Sequence, residues 1–164
     1  MVMDIGMYCI QWGLLAFGTS VKNVMAMGTM RNGVDQTGAG TVQFEEGGIL
    51  QFIVTGDSNT EERMIITGTK GYIVIKGPHH VPEEVLVSID QGRGYARNET
   101  VRKFPLPDDS FCSWNYPGSV GFVHEIEEVA RCLREGEKES GMFNWEETKV
   151  TAEIIEKIKA QIRA

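Results

Sequence analysis

The alternation of apolar and polar positions divides the chain into a helical opening, a long run of strands and a helical close. Residues 2–17 are apolar over a helical length and stop at Gly18, a common helix terminator, which predicts one helix there. Residues 22–31 then alternate, and residues 40–44 and 49–55 flank Glu45-Glu46-Gly47-Gly48, a hairpin signal. Residues 63–67 and 72–76 bracket Gly68-Thr69-Lys70-Gly71, and residues 84–89 and 100–104 read as two further strands around a glycine-rich turn. Hairpins that follow one another without intervening helices imply a mainly antiparallel sheet. After Pro117-Gly118 the period changes: Phe122, Ile126, Val129 and Leu133 share one side of a helix that stops near Gly136. A last helix carries Val150, Ile154, Ile155, Ile158 and Ile162 on one side and Glu153, Glu156, Lys157 and Lys159 off it. The expected fold is α+β, a mainly antiparallel sheet with helices covering one face, in a single domain over residues 1–164. The opposite face, left partly apolar, is then available to a second copy of the chain.

Composition narrows the partners. With 164 residues and a formal net charge of -7, acidic and basic positions interspersed, the chain lacks the clustered basic patch that nucleic acid or an anionic membrane surface requires. Small molecules and other copies of itself are the expected partners. Cys9, Cys112 and Cys132 are odd in number and contain no C-x-x-C pair, so all three are read as buried, reduced thiols. The apolar run over residues 9–17 lacks the basic flank and small-residue cleavage pattern of a secretory signal. No run approaches the roughly 20 apolar residues of a membrane span. A cytoplasmic location is the expectation.

Candidate chemistry begins with Asp4 and Tyr8, spaced i, i+4, which a helix places on one side where a carboxylate and a phenol can meet one substrate. The same residues also fit plainer roles: an acid in the first turn is favoured by the helix dipole, and a tyrosine in an apolar helix packs with one bonded hydroxyl. Trp114, Asn115 and Tyr116 form a polar-aromatic loop that can border a substrate pocket or simply pack. Gly38-Ala39-Gly40-Thr41-Val42-Gln43 and Gly92-Arg93-Gly94-Tyr95-Ala96-Arg97 begin like a dinucleotide fingerprint, but both lack its third glycine and neither precedes a helix. Gly68-Thr69-Lys70-Gly71 has its lysine before the final glycine, unlike a P-loop. No cofactor site is therefore expected within the chain. His79 and His80, between Pro78 and Pro82, read as a solvated loop without a metal cluster, and His124 as a surface residue. Arg93, Arg97, Arg102 and Lys103 form a basic run with no assigned role.

The opening Asp4-Ile5-Gly6-Met7-Tyr8-Cys9-Ile10-Gln11 resembles the motif that starts the long helix of the second domain in the glucose-fructose oxidoreductase, inositol dehydrogenase and rhizopine catabolism (GFO/IDH/MocA) family. Tyrosine at the fifth position, in a Cys-Ile-Gln context, is similar to the dihydrodiol dehydrogenase branch. Ile66-Thr67-Gly68-Thr69-Lys70-Gly71-Tyr72-Ile73 and the segment 121–140 resemble that branch as well. The resemblance implies a two-domain oxidoreductase that moves hydride between NADP and a diol or sugar-like hydroxyl. Its amino-terminal Rossmann domain carries the cofactor, and its carboxy-terminal domain gives substrate contacts and a dimer face. Only the second is expected here, since the first takes on the order of 100 to 150 further residues and brings the family's catalytic lysine in a Glu-Lys-Pro motif. This sequence has no Glu-Lys-Pro. In the family's scheme Tyr8 acts as acid/base or orients the hydroxyl, and Asp4 hydrogen-bonds the substrate or its catalytic neighbours. A phenol, ionising near pH 10, is a poor base without a nearby cation, so the isolated chain is expected to be inactive and to bind no cofactor alone. Two readings follow: a substrate and dimerisation domain, truncated or completed by a Rossmann partner, or a non-catalytic module that keeps only self-association.

Overall fold

The computed structural model describes residues 1–90, 92, 97–110 and 113–163. The chain forms two compact units, Met1–Thr60 with Gly141–Ala164, and Glu61–Ser140. Both are antiparallel, as the consecutive hairpins require, and each has its own sheet. The α+β architecture with mainly antiparallel sheets is therefore present.

In the first unit a π turn, Val2–Gly6, runs directly into helix α1, Met7–Phe17. The helix stops at Gly18, whose φ of 76° suits glycine and whose N–H donates to the Leu14 carbonyl. Three strands follow, β1 (Val21–Arg31), β2 (Val34–Phe44) and β3 (Ile49–Thr55), in that spatial order. β2 is longer than the expected 40–44. Asn32-Gly33, with φ of 52° and 79°, closes a two-residue hairpin between Arg31 and Val34, and this Asn-Gly signal is what the sequence reading passed over.

The Gly38-Ala39-Gly40 run lies in the middle of β2 and serves packing. A Cβ on Gly38 would fall 2.4 Å from Val2 Cγ2, and one on Gly40 would fall 2.7 Å from the Phe52 ring. The inner face collects Val24, Val42, Phe44, Leu50 and Val54, all buried, against Val2, Cys9, Ile10 and Leu14 of the opening helix. The second helix of this unit is the last in the chain, α3, Trp145–Arg163. Its expected stripe is core: Ile154, Ile155, Ile158 and Ile162 are buried. Asn144 and Glu147 form a reciprocal capping box, the Glu147 N–H donating to Asn144 Oδ1 (3.0 Å) and the Asn144 N–H to Glu147 Oε2 (2.8 Å). Gln161 covers the free edge of β1, accepting from the Ala26 N–H (2.8 Å) and donating to the Val24 carbonyl (3.0 Å).

The second unit is a meander of β4 (Met64–Gly68), β5 (Gly71–Ile75), β6 (Glu84–Ile89) and β7 (Asn98–Lys103), followed by a 3₁₀ turn, Ser119–Gly121, and helix α2, Phe122–Glu135. Here one expectation is corrected. The stripe Phe122, Ile126, Val129 and Leu133 does not cover a sheet; these residues are 44%, 66%, 58% and 75% exposed. The helix instead buries Cys132 and half-buries Arg131 and Glu128. Arg131 forks onto both Glu128 oxygens (2.9 Å each), reaches Glu137 (2.8 Å) and pairs with Glu135, while Ser140 Oγ donates to Glu128. Arg131 to Glu137 and Ser140 to Glu128 tie the end of this helix to the turn that follows it.

His79 is a second correction. It is buried, its N–H donating to the Glu62 carbonyl (2.8 Å), while His80 is exposed. No group of three or more metal-ligating side chains forms among the described residues. Cys9 and Cys132 are buried thiols as expected; Cys112, Arg93 and most of the Gly92 to Arg97 run fall outside the described residues. Burial pushes the Cys9 thiol up to about 11.

Candidate functional site

The opening helix is tied to β2 at its first turn. The Val2 N–H donates to Asp35 Oδ2 (2.6 Å), and the Met1 ammonium lies 2.9 Å from the same oxygen. Burial pushes the Asp35 carboxyl up, but the Val2 N–H and the ammonium outweigh it and hold it below its ordinary value. The Met1 carbonyl accepts from the N–H groups of Asp4, Ile5 and Gly6, which widens this turn to i→i+5 spacing. Turns of this kind recur at functional positions.

Because the π turn and α1 are continuous, Asp4 and Tyr8 remain one turn apart. Val2, Gly6, Cys9, Ile10, Gly13 and Leu14 are buried, and Asp4 and Tyr8 emerge on the other side. Gly13 lets the helix sit close to the sheet, since a Cβ there would come within 2.8 Å of Leu50 Cδ2 and 3.2 Å of Phe44 Cζ. Asp4 is exposed, and Tyr8 is 36% exposed. The pair can offer a carboxylate acceptor and a phenol to one bound hydroxyl. The residues in helical reach of Tyr8, at i±3 and i±4, are Ile5, Asp4, Gln11 and Trp12, none of them a cation.

Trp114, Asn115 and Tyr116 lie in the second unit, on the exposed loop before the 3₁₀ turn. The Trp114 indole N–H donates to the Asp109 carbonyl (3.1 Å), and the Tyr116 carbonyl accepts from Ser119 Oγ (2.8 Å). Gly118, at φ 80°, turns the loop into the helix. The structure thus keeps these three together and assigns the Asp4 and Tyr8 pair to the other unit. Arg97 stacks over the Tyr72 ring at 5.0 Å, and Arg102 and Lys103 are exposed on β7.

The described residues show no complete glycine fingerprint for a dinucleotide. The one glycine pair they contain in fingerprint spacing, Gly38 and Gly40, is filled by Val2 and Phe52 within a strand, leaving no turn at a helix start to receive a pyrophosphate. No helix among the described residues is long and apolar enough to cross a membrane. Sequence reading missed two features of the site: the Asp35 anchor, which no local pattern encodes, and Trp12, which the i+4 step from Tyr8 would have found.

Comparison with known proteins places these observations. Residues 1–74 match the GFO/IDH/MocA C-terminal domain. Trans-1,2-dihydrobenzene-1,2-diol dehydrogenase from Sus scrofa is 28% identical over 163 residues, an alignment covering 98% of this chain and 46% of the relative. The protein of that name from Homo sapiens is 29% identical over 167 residues, with the same coverage of 98% and 46%. The chain spans about half the length of the curated relatives it matches. Among solved structures, aldose-aldose oxidoreductase from Caulobacter crescentus, complexed with glycerol, superposes with a TM-score of 0.72 at 16% identity, covering 99% of this chain and 45% of that one. An NAD binding oxidoreductase from Klebsiella pneumoniae superposes with a TM-score of 0.75 at 13% identity, over 99% of this chain and 48% of that one. These two likenesses are of fold.

Proposed function

We propose, from the premise that this chain carries the GFO/IDH/MocA C-terminal domain, that it supplies the substrate side of an oxidoreductase acting on a vicinal diol or sugar hydroxyl. The observation that carries the reading is the Asp4 and Tyr8 pair, emerging side by side from a helix whose other side is core. Oxidising an alcohol requires the hydroxyl proton to leave as the carbon gives up hydride. Tyr8 is positioned to take that proton or to orient the hydroxyl, and Asp4 to accept a hydrogen bond from the substrate. No cation lies in helical reach of Tyr8, so the group that makes the phenol a base is supplied from outside this helix. The nicotinamide acceptor, NADP in this reading, is held by a Rossmann half outside the described residues. The exposed Trp114, Asn115 and Tyr116 loop is proposed as a polar-aromatic substrate contact of the second unit.

Self-association is the other part of the proposal. The outer face of the three-stranded sheet is built from the rows Asn23, Gln43, Ile49; Met25, Thr41, Gln51; Met27, Ala39, Ile53; and Thr29, Thr37, Thr55. None of these carries a charge, and Met25, Met27, Ile49 and Ile53 are all more than half exposed. An uncharged, partly apolar sheet face supports a homodimer built across it. The same face favours the second reading, a non-catalytic self-associating module left from such an enzyme.

Calorimetry with NADPH, with and without a dihydrodiol dehydrogenase Rossmann half, separates the two. The expected result is binding and turnover only with the added half, with turnover but not NADPH binding lost or strongly reduced by Tyr8→Phe. Turnover by the chain alone refutes the division of labour, and no turnover in either case leaves the module. A monomer at micromolar concentration in sedimentation refutes the dimer.

A further inference from the structure

We infer that Trp12 makes this site selective for a hydroxyl carried on a ring over one on an open chain. The inference rests on the substrate-side reading of Asp4 and Tyr8. Its starting point is what the outward side of the opening helix is made of. That side shows Asp4, Ile5, Tyr8, Gln11, Trp12 and Leu15, none of them buried, while every buried residue of the helix lies on the opposite side. Asp4 is the only charged side chain in residues 1–20. A helix side turned to water ordinarily carries several charges. One carboxylate, a phenol and an amide set among an indole and two aliphatic chains is instead the composition of a small-molecule site, apolar with a few polar groups to fix orientation.

The direction of helical side chains gives Trp12 its role. Side chains lean toward the helix N-terminus, so each covers the surface over the turn before its own Cα. Trp12, one turn beyond Tyr8, covers the turn of Tyr8, and Tyr8 covers the turn of Asp4. A hydroxyl held by Asp4 and Tyr8 therefore places its carbon skeleton beside the indole, with Ile5 (38% exposed) and Leu15 (72% exposed) at the margins. The indole presents a broad, flat apolar face with few torsions to freeze. A cyclic skeleton lays a whole face on it, whereas a short polyol, hydrated along its length, gains little. Burying the equivalent of two extra carbons is worth about tenfold in affinity.

The test follows indole and tyrosine-ring NMR signals of the purified chain, with Trp145, to which no ligand contact is assigned, as the internal reference. One titration uses trans-1,2-dihydrobenzene-1,2-diol and the other glycerol. The expected result is a saturable shift of the Trp12 indole and Tyr8 ring, at roughly tenfold lower concentration for the cyclic diol. Trp12→Leu should bring the two ligands within about twofold while the Tyr8 response persists, and Trp12→Phe, which keeps a flat ring, should retain the preference. A Tyr8 response with a silent Trp12, or an unchanged preference in Trp12→Leu, overturns this inference and leaves the substrate-side reading standing. No response at Tyr8 to either ligand overturns that reading, and the role of Trp12 with it.

Discussion

The two helical stripes, equivalent as patterns, should differ sharply when cut. Ile158 is 0% exposed, in contact range of β2 beneath Gly40, whereas Ile126 is 66% exposed. Ile158→Ala removes three buried carbons, a transfer loss of about 2.4 kcal/mol at ~0.8 kcal/mol per carbon. Incomplete collapse around the vacated volume brings the cost to about 3 kcal/mol, within the roughly 2–5 kcal/mol seen for such truncations. With a urea slope of about 2 kcal/mol/M, the midpoint should fall by about 1.5 M. Ile126→Ala, exposed on its helix, should change stability by less than about 0.5 kcal/mol. Urea unfolding followed by circular dichroism reads both. Equal losses for the two variants would refute the reasoning, because they would mean that the α2 stripe is covered as fully as that of α3.

Other outcomes follow from single contacts. Gly40→Ala sets a Cβ 2.7 Å from the Phe52 ring and should cost about 1–3 kcal/mol in the same unfolding assay. Arg131 holds the Glu128 carboxyl down to about 2 from an ordinary 4.5, with Ser140 adding to it. The resulting stabilisation is present above pH 4.5 and lost as pH falls toward 2, so Arg131→Met should flatten the acid limb of a stability against pH curve over that window. Burial, then the neighbouring His80, lowers the His79 pKa below 6.5. Its contribution is present above pH 6.5 and lost as pH falls through the lowered value, and His79→Gln should remove that slope. In a Cys112→Ser background, Cys9, raised to about 11, and Cys132, also raised, should resist a thiol reagent at pH 8 until denaturant is added.

The strands and helices were legible because their patterns are local. Residues 49–55 and 84–89 were bounded as they stand in β3 and β6, and Gly18 and Gly136 stop their helices as expected. Differences arose where a residue's meaning depends on a distant neighbour. Gly38 and Gly40 resemble a phosphate loop until Val2 and Phe52 are seen to fill the space above them. His79 looks like a solvated loop residue until it is seen to be buried, with its backbone N–H donating to the Glu62 carbonyl.

The sequence alone determined the antiparallel α+β plan and the helical placement of Asp4 and Tyr8, since period and spacing act within a few residues. Only tertiary structure decided which stripe became core, which sheet face stayed uncharged and open, and that Asp35 anchors the turn bearing Asp4. Periodicity marks which residues could be buried together, but burial is a property of what arrives against them. That is fixed by chain segments far apart in sequence.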